Sequence, residues 1–205
     1  LFNLKNKSFL ITGSSRGIGK SIALNAAKEG AKVIISSRKI DACNETAQEI
    51  NDLIGAEVAF PIPANIGSET QLKNLVDETN KLLGKIDVLI CNAATNPFMG
   101  SMSDIPSEAF DKIMNNNIKS NHLLCQMVIP EMKERKDGSI IIVSSMYLQF
   151  IIIFISFIIF INLSLIAHKS RFRLPLRSIR RPAVQIYICL LIVHQFIINY
   201  SEIAF

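Results

Sequence analysis

The stretch Phe9-Leu10-Ile11-Thr12-Gly13-Ser14-Ser15-Arg16-Gly17-Ile18-Gly19 decides the fold of this chain. A short apolar run leads directly into a glycine-rich turn, and apolar residues at helical spacing follow as far as Glu29. Glycine lets the backbone turn tightly and approach an anion closely, and the start of a helix offers free N–H groups to that anion. A strand, a glycine turn and a helix in this order therefore predict a nucleotide site at Gly13, Gly17 and Gly19.

Short apolar runs alternate with helical patterns on the C-terminal side of this turn, which is typical of βαβ units. The pattern predicts a doubly wound parallel sheet, an α/β fold of the Rossmann type with three α/β/α layers, in residues 1–147. The predicted strands are Phe9–Thr12, Lys32–Ser36, Val58–Pro61, Ile86–Cys91 and Ser139–Ser144. The predicted helices are Ile18–Glu29, Asp41–Leu53, Ser68–Leu83, which starts with a Ser68/Gln71 capping box, and Ser107–Arg135.

Charge divides the chain into two parts. The 16 basic residues up to position 149 are matched by 16 acidic ones, so the whole net charge of +5 lies in the last 56 residues. The main domain therefore has no basic excess for a nucleic-acid interface, and we expect no nucleic-acid partner. The four cysteines are widely spaced and lack metal-ligand spacing, which indicates reduced thiols in a cytoplasmic compartment and no metal site.

The end of the second predicted strand bears on the choice of nucleotide. A site for NAD places a carboxylate there for the ribose 2′-OH, whereas arginine suits the 2′-phosphate of NADP. This chain has Ser36-Ser37-Arg38-Lys39 and no acid before Asp41, and Arg16 from the glycine turn is a second candidate for the same phosphate. The sequence predicts NADP, and a solvated basic loop is the alternative interpretation.

Four motifs carry a resemblance to a known family. They are Thr12-Gly13-x-x-x-Gly17-x-Gly19, Cys91-Asn92-Ala93-Ala94, the longer stretch Asn92-Ala93-Ala94-Thr95-Asn96-Pro97-Phe98, and Gly138-Ser139-Ile140-Ile141-Ile142-Val143-Ser144-Ser145. On these motifs the chain resembles the short-chain dehydrogenase/reductase superfamily, and within it the NADP-dependent retinal and carbonyl reductases. The resemblance covers residues 4–146.

The resemblance implies hydride transfer between NADPH and a small-molecule ketone or aldehyde. It assigns cofactor binding to Gly13, Ser15, Arg16, Gly17, Ile18, Gly19, Arg38, Asn65, Ile66, Asn92, Ala93 and Ala94. Asn65-Ile66 takes the place of an Asp-Val pair that contacts the adenine in many relatives, and an amide can still hydrogen-bond there. Relatives commonly form oligomers, and the oligomeric state of this chain stays open.

The resemblance also implies a catalytic group of Asn, Ser, Tyr and Lys. Asn117 matches the helix asparagine that holds a water in the proton relay, and Ser145 matches the serine that donates to the substrate carbonyl. The tyrosine and lysine would fall at about Ile158 and Asn162, and no tyrosine of the chain is followed four positions later by lysine. The sequence predicts the cofactor half of an enzyme without its acid–base half. A catalytically silent, membrane-tethered nucleotide-binding protein is the alternative.

Residues 148–205 form an apolar and basic tail. Leu148–Ala167 has twenty residues without a charge, long enough to cross a bilayer, and the basic residues between Lys169 and Arg181 would then face the cytoplasm. Ala183–Asn199 is a weaker span. Three interpretations stay open: translated noncoding or frame-shifted sequence, a membrane anchor, or a divergent substrate domain. We expect a cytoplasmic protein, membrane-bound if the tail inserts, and no peroxisomal address like that of the relatives at Ala204-Phe205.

Overall fold

Parallel strands form the centre of the computed structural model, which describes residues 3–144 and 185–187. The strands are β1 Ser8–Thr12, β2 Lys32–Ser36, β3 Ala59–Pro61, β4 Val88–Cys91, β5 Ser139–Ile142 and β6 Gln185–Tyr187. They pair in the order β3-β2-β1-β4-β5-β6, and every pairing is parallel. The carboxyl ends of the strands therefore meet at one edge of the sheet.

Helices connect the strands and pack on both faces of the sheet. They are α1 Gly17–Lys28, α2 Ile40–Ile54, α3 Glu69–Leu83, α4 Ser107–Met114 and α5 Ser120–Arg135, with a 3₁₀ turn at Met102–Asp104 and a π-helical turn at Asn115–Lys119. Helix α1 packs beside α2, and α3 packs beside α5. The predicted doubly wound parallel sheet is confirmed.

The main core lies between the sheet and the α3/α5 layer. Each central strand contributes a fully buried side chain to it, as Leu10 does from β1 and Leu89 from β4. Leu72 and Leu75 of α3 meet these residues at helical spacing, and Leu124 joins them from α5. The helical periods in the sequence therefore correspond to the buried faces of the helices.

The α3 helix begins with a modified form of the predicted capping box. The Ser68 hydroxyl accepts from the Gln71 N–H at 3.4 Å, as expected. The Gln71 side chain, however, accepts from the N–H of Asn65 at 2.8 Å, because the Ser68 N–H already donates to the Asn65 carbonyl. The second half of the box therefore holds the end of the β3–α3 loop.

The predicted helix Ser107–Arg135 is interrupted by the π-helical turn. Its widened backbone leaves carbonyls that side chains satisfy: the Ser120 hydroxyl donates to the Asn116 carbonyl, and Asn121 Nδ2 donates to the Asn117 carbonyl at 2.8 Å. Apolar periodicity does not distinguish a π turn from an α turn within a long helix. The sequence correctly predicted a helix from Ser107 towards Arg135, and the π-helical turn within it was not predicted.

Several strand boundaries also differ from the prediction, and one strand was not predicted. Strand β4 begins at Val88 rather than Ile86, and the side chain of Asp87, just before the strand, contacts the Ser8 N–H and Lys85. The strand β6 was not predicted; it lies in the stretch interpreted as a weak membrane span and pairs with β5 through Ile186 and Ile140. Its β-branched and aromatic residues favour a strand.

Several predictions fall on residues that the structure does not describe. Ser145, the apolar segment 148–167 and positions 158 and 162 all lie outside the described ranges. The predicted boundary at residue 147 and the interpretations of the tail stay predictions. Within residues 3–144 and 185–187, no helix combines the length and apolar character that a membrane span needs.

A buried carboxylate lies at the opposite edge of the sheet from the strand carboxyl ends. Asp87 is 2% exposed, and its Oδ2 accepts from the Ser8 N–H at 3.0 Å. Its Oδ1 lies 2.9 Å from Lys85 Nζ, 3.2 Å from Arg135 Nη1 and 4.0 Å from Lys7 Nζ. These residues, the Asp87 cluster, join the starts of β1 and β4 to the end of α5.

An exposed ion pair next to this cluster predicts a small acid dependence of stability. The hydrogen bond from Lys7 to Asp137, 2.7 Å long, lowers the pKa of Asp137 below its ordinary 3.8, against a smaller opposing effect of burial. A lowered folded-state pKa stabilises the protein above the unfolded pKa, and this contribution disappears as the pH falls through the folded pKa. The same bond raises the pKa of Lys7 above 10.5, so the stabilisation from Lys7 is lost only at higher, alkaline pH.

We expect Asp137→Asn to lower the free energy of unfolding near neutral pH by less than about 1 kcal/mol, since the Asp137 side chain is 57% exposed. Denaturant unfolding of both proteins between neutral and strongly acid pH checks this. The difference should shrink to zero below the folded pKa of Asp137. A difference that grows towards acid pH contradicts the assignment.

Candidate cofactor site

A cleft of about 580 Å³ opens at the carboxyl edge of the sheet. Its walls come from the loops that follow β1, β2, β3 and β4, together with the first turn of α1 and the π-helical turn. The strand order reverses beside β1, where the chain crosses from β3 to β4. Open α/β sheets bind their ligands at this kind of switch point.

Two positions of the turn between β1 and α1 require glycine for different structural reasons. Gly17 has φ +57°, a backbone conformation that residues with a side chain rarely adopt. A Cβ added there would meet nothing within 4 Å. Gly19 is buried, and a Cβ there would lie 2.6 Å from Asn92 Nδ2 and closer still to the Gly13 carbonyl. Gly17 thus leaves open space at the start of α1, and Gly19 lets the helix pack on the turn.

Side chains at the carboxyl ends of β1 and β4 form hydrogen bonds that hold the glycine turn. Thr12 Oγ1 accepts from the backbone N–H groups of Asn92 and Ala93, both at 3.1 Å. In return, Asn92 Nδ2 donates to the carbonyls of Thr12 and Gly13 at 3.0 and 3.1 Å. The Asn92 amide therefore fixes the shape of the turn, in addition to lining the cleft.

Ser14 joins the turn to the end of β2. This residue is fully buried; its hydroxyl donates to the Ile11 carbonyl at 2.7 Å and accepts from the Ser36 N–H at 2.8 Å. Ser15 is held from the other side, because its carbonyl accepts from Thr46 Oγ1 of α2 at 3.0 Å. The glycine turn and the loop after β2 consequently form one hydrogen-bonded wall of the cleft.

Three cations lie along this wall. Arg16 precedes α1, and Arg38 and Lys39 follow β2; all three are exposed and line the cleft. Among the described residues that line the cleft, none is Asp or Glu. The wall therefore has the charge and the donors for a phosphate, and it lacks the carboxylate that would accept from a ribose 2′-OH.

The loop after β3 forms a further wall of the cleft, next to the loop after β2. Asn65 and Ile66 both line it. The Oδ1 of Asn65 accepts from the Gly67 N–H at 3.0 Å, which leaves its Nδ2 as the group available to a ligand. An amide donor at this position can serve a base acceptor, and the predicted adenine contact needs such a group.

Asn117 lies behind the cleft wall and contacts Thr95. Its Oδ1 accepts from the Thr95 N–H and its Nδ2 donates to the Thr95 carbonyl, both at 2.8 Å. Both polar atoms of the side chain thus bond to the loop after β4. The backbone carbonyl of Asn117 accepts from Asn121 Nδ2. A water held by Asn117, as the family resemblance implies, would use the remaining lone pair of that carbonyl. This role stays a prediction.

Eleven of the twelve predicted cofactor residues line the cleft; the exception is Gly19, which lies beneath the turn. The sequence analysis missed six further lining residues of note: Thr12, Ser36, Ser37, Lys39, Thr95 and Asn116. Lys39 and Thr95 lie within stretches singled out in the sequence, and this was the available signal. Asn116 carried none, because the π-helical turn that directs it to the cleft was not predicted.

The residues of the cleft fit the dinucleotide that the family resemblance implies. The first turn of α1 supplies free N–H groups, Gly17 leaves room beside them, and the cations stand at one end. Gly13, Gly17 and Ile18 would hold the pyrophosphate. Arg16 and Arg38 would hold a 2′-phosphate.

Comparisons with known proteins identify the family of this chain. The model of the family described as short chain dehydrogenase matches residues 7–155. Dehydrogenase/reductase SDR family member 4 of Bos taurus is 42% identical over 142 residues, which cover 69% of this chain and 50% of that protein. The chain therefore spans about half the length of the curated relatives it matches.

Two solved structures share the fold and differ in the nucleotide named with them. The 3-ketoacyl-(acyl-carrier-protein) reductase from Brucella melitensis, complexed with NADH, has a TM-score of 0.65 and 30% identity, over 69% of this chain and 58% of that one. The C-domain of a bacterial malonyl-CoA reductase, with NADP, has a TM-score of 0.67 and 32% identity, over 69% and 22%. By its glycine turn, its sheet and the match over residues 7–155, this chain is a member of the short chain dehydrogenase family.

Proposed function

We propose that this chain binds NADP(H) as the cofactor half of a carbonyl reductase. The supporting observation is the cationic wall at the end of β2, with Arg16, Arg38 and Lys39 and no carboxylate among the described lining residues. The substrate class, a ketone or aldehyde of the retinal and carbonyl type, rests on the similarity to dehydrogenase/reductase SDR family member 4.

Each wall of the cleft has a separate task in this proposal. Arg38 pairs with the 2′-phosphate, the first turn of α1 binds the pyrophosphate, and the loop after β4 supports the other half of the nucleotide. NADPH, when bound, supplies the hydride for reduction. Ser145 then donates a hydrogen bond to the carbonyl oxygen, where negative charge develops.

The cofactor preference provides the test of this proposal. We expect wild-type chain to bind NADPH about tenfold or more tightly than NADH, because a charge-assisted hydrogen bond contributes about 1.5–3 kcal/mol. Arg38→Asp should reverse the preference, since a carboxylate repels the phosphate and accepts from the 2′-OH. Isothermal titration of both nucleotides into both proteins measures this.

Lys73→Asp is the matched control for charge. Lys73 is an exposed residue of α3 outside the cleft, and its replacement changes the net charge by the same amount. This variant should keep the wild-type preference. Equal affinity for the two nucleotides in wild type, or the same loss of NADPH binding in Lys73→Asp, contradicts the assignment of Arg38.

A second candidate function is nucleotide binding without catalysis. The sequence favours this candidate because Ile158 and Asn162 stand where the family resemblance places a tyrosine and a lysine. Such a protein would bind NADPH and leave it unoxidised in the presence of a carbonyl substrate.

A further inference from the structure

Thr95, in the loop after β4, makes three hydrogen bonds with the π-helical turn. Asn117 engages its backbone N–H and carbonyl, and Asn116 Nδ2 donates to its side-chain oxygen at 3.0 Å. Both asparagines belong to the π-helical turn. Thr95 lines the cleft, so the π turn sets the position of a hydroxyl inside the cofactor site.

The bond from Asn116 uses the Thr95 hydroxyl as an acceptor. An amide nitrogen is a donor only, so the bond occupies a lone pair of Thr95 Oγ1 and leaves its proton for another acceptor. Within the described ranges, no protein group accepts a hydrogen bond from this hydroxyl. The proton is therefore available to a ligand in the cleft.

Asn116 is buried, and its side-chain oxygen has neighbours of its own. Its side chain is 7% exposed, and its Oδ1 lies against Gly67, where an added Cβ would approach it to 2.8 Å. The neighbouring Asn115 Nδ2 is 3.5 Å from the Gly67 carbonyl and 3.5 Å from Asn116 Oδ1. The asparagine run Asn115–Asn117 thus connects the loops after β3 and β4.

We propose that Thr95 is a specific hydrogen-bond donor to the bound dinucleotide and that Asn116 is the positioning residue that directs its proton. This inference rests on the proposed NADP(H) binding. The acceptor is an oxygen or nitrogen of the nucleotide, which either half of the molecule can offer through its ribose, a phosphate, the base or the carboxamide. Neither residue was assigned to the cofactor by the sequence motifs.

The test compares three variants of the full chain by titration with NADPH. Thr95→Val removes the hydroxyl and keeps the shape, Thr95→Ser keeps the hydroxyl, and Thr95→Val/Asn116→Leu removes both partners so that no buried donor is left alone. One hydrogen bond corresponds to about a three- to tenfold change in affinity. We expect that loss for Thr95→Val and for the double variant, and wild-type affinity for Thr95→Ser.

Two nucleotide fragments identify the half that receives the proton. Adenosine 2′,5′-bisphosphate carries the adenine half, and reduced nicotinamide mononucleotide carries the other. Loss of affinity for one fragment, matching the loss for NADPH, supports the proposal and names the acceptor half. Unchanged binding of both fragments and of NADPH overturns it.

Thermal unfolding without nucleotide separates donation from loop support. If the double variant binds weakly while its melting temperature matches that of Thr95→Ser, the hydroxyl acts on the ligand. If Thr95→Ser binds as weakly as Thr95→Val, the methyl group is responsible, and the proposal fails. Absence of NADPH binding to wild type overturns the proposed function, whereas equal binding by wild type and the double variant overturns only the role of Thr95.

Discussion

Purified full-length chain is expected to reduce a ketone or aldehyde about 10²–10⁴-fold more slowly than a short-chain dehydrogenase with its tyrosine and lysine, because general acid–base catalysis usually contributes that factor. Ile158 and Asn162 occupy the positions where the resemblance places those residues. Neither side chain can transfer a proton to the forming alkoxide. Steady-state NADPH oxidation with a diketone or retinal measures the rate.

Nucleotide binding must be measured on the same preparation. A sample that binds NADPH and does not oxidise it has an intact cleft and lacks only the acid–base step. Arg38→Asp serves as the reference for weakened NADPH binding, since it should lose both its affinity for NADPH and any residual NADPH oxidation. Rapid turnover by wild-type chain would show that another group supplies the proton.

Asp87→Ala is expected to lower the free energy of unfolding by about 3 kcal/mol, since it leaves a buried N–H without its acceptor and removes a buried carboxylate from beside three cations. The Ser8 N–H loses its acceptor, and Arg135 loses one of its two carboxylates. The lower end of the usual range applies because Arg135 and Lys85 keep 24% and 38% of their side chains exposed to water. Urea unfolding measures the change.

Two variants control for this result. Asp87→Asn keeps an oxygen for the Ser8 N–H and removes only the charge, so it should lose less than Asp87→Ala. Asp77→Ala removes an exposed carboxylate from α3 and should stay within about 0.5 kcal/mol of wild type. Equal losses in Asp87→Ala and Asp77→Ala would show that burial of Asp87 has no energetic effect.

The sheet was predictable from sequence because its signals are local. The run at Phe9–Thr12 is buried on both faces, and Gly55 and Gly84 end their helices in the left-handed conformation that glycine favours. The π-helical turn was not predictable in this way. It depends on hydrogen bonds from Ser120 and Asn121 to carbonyls four residues earlier, which a helical apolar pattern does not encode.

The residues of the cofactor site also differ in whether a local sequence motif indicates them. Gly17 and Arg38 belong to motifs in which spacing alone indicates the chemistry, and both line the cleft. Thr95 and Asn116 come together from loops and helices that are distant in sequence, through a side-chain bond. A contact of that kind requires the π turn to lie against the loop after β4, so the sequence provided no direct sign of it.

The hydrogen bonds around the glycine turn have a consequence for the thermodynamics of ligand capture. Thr12, Ser14 and Asn92 hold the turn in place by bonds that need no nucleotide. A loop already ordered before the encounter loses little conformational entropy when the ligand arrives. More of the contact free energy then appears as affinity, and association does not wait for the backbone to rearrange.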